Sequence, residues 1–313
     1  ATETTTAMAG NFVTLTNNNN IEVTGNNGIG IYGAGGSKIL NSAGASVTVG
    51  QEGVALYGAN RLNSSTLGDG TISVTNAGTL KGVSGKTKAF GMFAENTSTT
   101  VADSNLTNTG TITVGTETVM KNRAVAKNEA GAKILFNGVS KKGIGLFAEK
   151  GGEIVNSGDI KGNNPSILEE TIGMVIQPNN GGLVANGTNT GTIELTGDKS
   201  IGMFATGNGK YDVENSGKII IGNSSSKSNP GIAMYTNNKN ILLNNTGTIT
   251  LGKNSIGLYG IETIKTGDLV NGYVPAHYSV VNAQSAKIEL SGKGATGIYL
   301  SDGATGINDG TIT

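Results

Sequence analysis

The chain has 313 residues, 51 of them Gly, with 4 Pro and neither Cys nor Trp. Its 22 basic and 22 acidic residues cancel, and the only Arg are Arg61 and Arg123. That argues against nucleic acid as the main partner, because phosphate binding needs a basic surface. Gly shows no three-residue period, which excludes collagen. Apolar residues recur at regular places, which excludes a disordered chain.

In chain order, one phrase returns from end to end. It reads Gly28-Ile29-Gly30-Ile31-Tyr32-Gly33, then Gly53-Val54-Ala55-Leu56-Tyr57-Gly58, then Ala89-Phe90-Gly91-Met92-Phe93-Ala94. It continues as Gly143-Ile144-Gly145-Leu146-Phe147-Ala148, a weaker Thr171-Ile172-Gly173-Met174-Val175, and Ser200-Ile201-Gly202-Met203-Phe204-Ala205. The last copies are Gly231-Ile232-Ala233-Met234-Tyr235, Ser255-Ile256-Gly257-Leu258-Tyr259-Gly260 and Thr296-Gly297-Ile298-Tyr299-Leu300. Arg123-Ala124-Val125-Ala126 reads as a degraded copy in the gap between Phe93 and Phe147.

A second phrase, Asn-x-Gly-(Thr/Lys/Asp)-Ile, follows the first. It opens at Asn76, Asn108, Asn156, Asn189, Asn215, Asn245 and Asn308. Thr111-Ile112-Thr113-Val114 and Thr248-Ile249-Thr250-Leu251 alternate polar and apolar with period two, as half-buried strands do. Asn and Gly tolerate positive φ, which reads as the turn between strands. No segment shows sustained helical periodicity, and Asn, Gly and Thr disfavour helix interiors.

A repeat of roughly 25–30 residues with two or three short strands makes one coil of a solenoid. The fold class is therefore all-β: a right-handed parallel β-helix of about ten or eleven coils, roughly 50 Å long at about 4.8 Å per coil. Residues 1–313 read as a single β-helix segment excerpted from a longer protein, since no capping element is visible. The repeated Asn either stack as an amide ladder or only open turns. Ile, Leu and Met of both phrases should point inward. Strict alternation sends the aromatic outward unless the strand bends, and the sequence leaves that choice open.

No constellation for catalysis emerges. Asp159 and Glu194 occupy comparable places after their turns, but charges there read as solvated strand positions rather than a glycosidase pair. A serine protease needs a His base, and the one His, His277, stands in Pro275-Ala276-His277-Tyr278 without a matching Ser phrase. Thiols are absent and the Ca²⁺-binding nonapeptide is missing, so neither metal nor cofactor is expected. Gly-Ile-Gly recurs in every coil with no helix behind it, which explains it as scaffold rather than a dinucleotide loop. A flat Thr-x-Thr face is broken by Lys81, Asp159, Lys161 and Glu194. The expectation is a chain that is not an enzyme. No run of about 18 apolar residues occurs, so no helix is expected to insert in a membrane.

Together the two phrases resemble the passenger domains of the large monomeric (type V) autotransporter adhesins of fusobacteria, over roughly residues 20–313. The resemblance implies a right-handed β-helix displayed at the bacterial cell surface, outside the outer membrane. It implies attachment to a host-cell receptor protein or glycan, or to a partner bacterial surface. The family's C-terminal β-barrel is not seen in this chain.

Binding on a regular rod is expected where regularity fails. The longest insertion, 261–279, gathers Asp268, Asn271, Tyr273, His277 and Tyr278, a candidate partner-binding loop; the bland reading is an ordered loop packed on the rod. Asn60–Gly70, Glu95–Ser104, Asn163–Glu170 and Asn223–Pro230 read as lesser, polar, flexible loops. The function expected is an adhesin segment that attaches through its loops. The alternatives are spacer coils that hold a distal tip and, third, a glycan-cleaving β-helix enzyme.

Overall fold

The computed structural model describes residues 5–60, 71–83, 89–96, 104–114, 120–122, 125–136, 143–149, 153–162, 170–177, 186–196, 198–207, 211–238, 241–261 and 278–313. The described strands form three parallel sheets, A, B and C, of eleven strands each. Successive strands pass from A to B to C and back to A one coil on, so the chain is a right-handed parallel β-helix of eleven rungs. The first phrase supplies sheet A. The end of the linking segment supplies sheet B, and the residues after Asn-x-Gly supply sheet C. Inward side chains from all three faces meet in one core that runs through the coils, from Ile31 to Ile288.

The corner between sheets B and C carries a continuous amide ladder. Asn17, Asn41, Asn76, Asn108, Asn128, Asn156, Asn189, Asn215, Asn245, Asn282 and Asn308 stand in register in successive rungs. Each Nδ2 donates to the Oδ1 of the next rung, at 2.8 Å from Asn17 to Asn41 and 2.7 Å from Asn189 to Asn215. Every bond points the same way, out to Asn282 donating to Asn308 at 2.7 Å. The second Nδ2 proton holds the turn: Asn156 reaches the Gly158 carbonyl at 3.2 Å, and Asn189 that of Gly191 at 3.3 Å. From Asn41 to Asn282 these amides are fully buried. Their polar atoms therefore need the partners that the neighbouring coils provide.

The Gly of this corner is required for a reason other than φ. None of Gly78, Gly110, Gly158, Gly191, Gly217, Gly247 and Gly310 lies in the left-handed region. A Cβ on Gly110 would fall 2.1 Å from the Gly78 carbonyl oxygen, and one on Gly191 2.2 Å from that of Gly158. Gly is thus imposed by the coil beneath, which corrects the expectation that it supplies positive φ. Positive φ at this corner falls instead on Gly44 and Gly131 of two four-residue turns, and most left-handed non-Gly residues gather at the corner from sheet C to sheet A. Asn27, Glu52, Glu170, Lys199 and Asn254, with φ of 56–59°, each stand two residues before a sheet A strand. Holding L-residues there costs about 1 kcal/mol each.

The aromatic faces outward because the sheet A strand bends. Gly30 and Ile31 both point inward, Tyr32 outward, and Gly33 inward again. The position of Gly30 meets the next coil: a Cβ on Gly145 would lie 2.5 Å from the Gly173 oxygen, and on Gly202 2.5 Å from that of Ala233. Ala55 and Ala233 fill the position in their own rungs, both fully buried. The next residue in eight copies (Ile31, Leu56, Met92, Leu146, Met174, Met203, Met234, Leu258) is fully buried, as expected of it, and Ile298 of the last rung is partly buried. The first Ile of the phrase is not: Ile29, Ile144, Ile172, Ile201 and Ile256 sit half-exposed outside the core.

The fifth rung corrects the sequence reading. Its sheet A strand is Met120–Asn122, with Met120 paired to Met92 and Lys121 to Phe93. Val125–Asn128 is the sheet B strand of that rung, so Arg123-Ala124-Val125-Ala126 is no copy of the first phrase.

The seventh rung swaps volume between two faces. At the inward position where Ala205 and Ala94 stand elsewhere, it carries Ile176, fully buried. The facing sheet B position, Ile154 and Val213 in the adjacent rungs, is Gly187. A Cβ on Gly187 would lie 2.5 Å from Ile176 Cγ1, so the one side chain fills the space of the other. Ile176→Ala should lower unfolding stability by about 2–5 kcal/mol through the cavity it leaves. Adding Gly187→Val should recover much of that loss, whereas Gly187→Val alone should destabilise by overpacking. Urea unfolding of the three variants checks this double-mutant cycle.

Candidate functional site

The three outer faces differ in chemistry. Sheet C presents hydroxyls and charges: Thr79, Thr111, Thr192 and Thr248 in one row, with Lys133, Asp159, Lys218 and Lys287 among them. Sheet B is likewise mixed, with Lys38, Asn105, Glu153, Asn186 and Asp212 exposed.

Sheet A presents two apolar rows. One is aliphatic for most of its length: Ile29, Val54 and Phe90, then Ile144, Ile172, Ile201, Ile232 and Ile256. The other is aromatic. Tyr32, Tyr57 and Phe93 form one stack with centroids 5.3 and 5.1 Å apart. Phe204, Tyr235, Tyr259 and Tyr299 form a second, at 5.2, 5.1 and 4.8 Å. Phe90 and Phe93 meet at 5.7 Å, which shows that the two rows share one surface. Stacks at this separation contribute about 0.5–1.5 kcal/mol per pair beyond area burial. Burial, and then the neighbouring Tyr259, hold the Tyr235 phenol above its ordinary 10.0.

Sheet A is also the face that the insertions border. The residues between Asn60 and Ile72, between Asn96 and Ser104, and between Ile261 and Val280 join sheet A to sheet B. Those between Gly162 and Ile172 and between Ile221 and Ile232 join sheet C to sheet A. The Asn corner takes turns of two or four residues only.

Of the candidate loop residues, Asp268, Asn271, Tyr273 and His277 lie outside the described residues. Tyr278 is described and 50% exposed, directly before the buried Ser279, which precedes the sheet B strand Val280–Asn282. Asn223–Pro230 is not the free loop expected from its composition. Asp198 of the coil below accepts from the Ser225 backbone N–H at 2.6 Å and from its hydroxyl. The Lys253 backbone N–H of the coil above donates to Asn223 Oδ1 at 2.7 Å. Ser224 is buried, and its Oγ accepts from Gly231 N–H at 2.8 Å. Short polar side chains have pinned this loop to both neighbours.

Asp159 and Glu194 do not occupy equivalent places. Asp159 pairs with Thr192, and Glu194 with Lys161. Lys161 Nζ lies 3.3 Å from Asp159 and 3.9 Å from Glu194, so the two carboxylates share one cation on an open strand surface. Glu289 is held below the ordinary carboxylate value by hydrogen bonds from Lys287 and Thr250. Tyr211, on an inward position of sheet B, donates to the Thr206 carbonyl at 2.7 Å, and burial pushes its phenol well above the ordinary value. Among the described residues, no group of three or more His, Cys, Asp or Glu is placed to hold a metal ion.

Residues 116–247 match the family model described as the BigA third pectate lyase-like domain. The matched stretch runs from the fifth rung to the corner Gly of the ninth, so the likeness falls on the middle of the coil array. It agrees with the β-helix built above and supports a surface-protein β-helix rod, without reaching the fusobacterial type. No curated protein and no solved structure matches the chain.

A raised phenol pKa stabilises the fold below the ordinary tyrosine value and loses that contribution as pH rises through the folded value. Tyr235 should therefore titrate above 10.0 in the folded chain. Tyr259→Phe should move it part of the way back, because burial remains. Carbon NMR of the labelled tyrosine rings reads both midpoints.

Proposed function

We propose that this chain is a rod segment of a bacterial surface adhesin, of the autotransporter passenger kind, displayed outside the outer membrane. It attaches to a host-cell receptor or glycan, or to another bacterium, and performs no catalysis. The single observation that carries the reading is the placement of insertions: each long connection borders sheet A, and none interrupts the Asn corner. A rod that only spaced a distal tip would have no reason to lengthen two edges of one face. Exposed Tyr278, at the end of the longest insertion, gives that edge an aromatic contact residue. The match to a BigA domain model and the phrase resemblance support the surface reading.

The non-catalytic part rests on the carboxylates. Asp159 and Glu194 lie on the outer strand surface and share Lys161 between them, rather than facing each other across a groove as a glycosidase pair does. The spacer reading has support of its own in the ladder, whose ten amide links run unbroken from Asn17 to Asn308.

Deleting residues 262–277 and closing Ile261 to Tyr278 with a short Gly-Ser link keeps every described strand. The folded wild-type chain should bind epithelial cells or a glycan array, and the deletion should reduce that binding on the order of tenfold or more. Binding unchanged by the deletion sinks the loop as the contact. No binding by either chain favours the spacer.

A further inference from the structure

We propose that the outer face of sheet A is a self-association surface, on which a second copy of this chain docks side by side. This goes beyond the attachment reading and does not depend on it. The first ground is chemical: sheets B and C mix charges and hydroxyls over their outer faces, whereas the described side chains of the two sheet A rows are Ile, Val, Phe and Tyr almost throughout. Exposed apolar stripes of this extent on a folded domain mark contact surfaces.

The second ground is size. From the rung of Tyr32 to that of Tyr299, nine coil steps of about 4.8 Å make the stripe roughly 43 Å long, and its rows stand three residues or about 10 Å apart. With side-chain width included, the stripe covers roughly 600 Å² per rod, or about 1,200 Å² for a pair, the low end of specific interfaces. An interface of that size gives concentration-dependent association rather than a permanent dimer, which suits rods held at high local density.

The third ground is charge. The chain carries no net charge, so no long-range repulsion opposes two copies. The departures leave most of the stripe intact: Thr6 and Ala9 hold the two row positions in the first rung, Thr296 one in the last, and Lys121 stands at the aromatic register position between Phe93 and Phe147.

Geometry fixes the arrangement. A two-fold axis parallel to the rods, lying between the two faces, sets the aromatic row of each copy over the aliphatic row of the other. Both rows repeat once per coil, so Tyr259 of one copy comes level with Ile256 of its partner, and rings lodge between aliphatic side chains along the whole contact.

Sedimentation velocity over a concentration series tests this with the full 313-residue chain. The wild type should pass from monomer to dimer. The pair Tyr235→Lys and Tyr259→Lys should weaken the association on the order of tenfold or more, with an unchanged circular dichroism spectrum. The sheet C pair Thr248→Lys and Thr250→Lys should leave it unaltered. If the first pair does not fold, Ile256→Thr serves instead, because Thr296 already occupies that row in the last rung. Since the chain lacks Cys, chains with Ile256→Cys mixed with chains with Tyr259→Cys should cross-link through a short bis-maleimide, and Thr250→Cys should not. A monomer at every concentration, equal loss from the sheet A and sheet C pairs, or cross-linking as strong through position 250 overturns the proposal. So does a monomer whose glycan binding disappears with the Tyr pair, which would give the stripe to a sugar.

Discussion

The structure depends on one distance, the rise of about 4.8 Å from one coil to the next. Every residue in a rung meets its own counterpart above and below at that spacing. Parallel backbone pairing satisfies the strand amides and continues into the Asn corner, where the Thr109 and Gly110 N–H groups donate to the Asn76 carbonyl, but the buried side-chain amides there need partners that the sequence must provide. The Asn ladder answers for one corner. Each amide from Asn17 to Asn282 gives one proton to the next Oδ1, and in several rungs the other is shared between the turn carbonyl and the first strand carbonyl of the next rung, as Asn156 does with Gly158 at 3.2 Å and Thr192 at 3.3 Å. All amide dipoles align, so each bond polarises the next. The same rise dictates which side chains cannot occur. Gly110 and Gly145 both have a carbonyl of the adjacent coil where their Cβ would sit.

Much of this was legible in the sequence because identical neighbours make identical phrases. Class, rung number and strand order follow from the spacing of Tyr32, Tyr57, Phe93 and their later counterparts. What escaped were deviations that keep the register but change the spelling. Asn41, Asn128 and Asn282 belong to the ladder although no Asn-x-Gly surrounds them. Their turns carry four residues, and the carbonyls of Ala45, Ala132 and Ala286 accept from the next rung where the Gly carbonyl otherwise does. Asn17 uses Asn19 in the Gly place, and accepts from its backbone N–H at 3.2 Å. The signal available was an Asn four or six residues before an inward Ile, Leu or Val, as Asn108 stands before Ile112 and Asn128 before Ile134, whatever lies between. Arg123–Ala126 misled for the opposite reason: its apolar pattern fitted, but it falls on sheet B.

The candidate site was less legible. Composition alone made Asn223–Pro230 look free, because Ser and Asn are frequent in mobile loops. The same short side chains can also tie a loop down: Asn223 accepts from a backbone N–H of the coil above, Ser225 donates to the Asp198 carboxylate of the coil below, and Ser224 accepts from Gly231 of its own loop. The direction of the aromatic row was equally hidden. A bend at Gly30 places two consecutive residues inward, and no alternation rule reveals that. Once the bend is known, the aromatic row and the first Ile of each phrase fall on one outer face, which turns a scaffold phrase into a surface.

That face is where variation can accumulate, and the reason is the ladder itself. A longer turn at the Asn corner must return its last carbonyl to the place where the Asn Nδ2 and the next backbone N–H both expect an acceptor. Four-residue turns manage this, as Asn41 to Ala45 shows: the Ala45 carbonyl accepts from Asn41 Nδ2 and from the Thr79 N–H. Arbitrary insertions have no such means of closing. Among the described residues the other two corners carry no continuous side-chain ladder, so lengthening them breaks no bond that runs the length of the rod. Those corners are the two edges of sheet A. Selection for new contacts on this rod therefore acts around one face, and that face is already apolar. The residues that fix the fold thus decide, by excluding the Asn corner, where partners can be met.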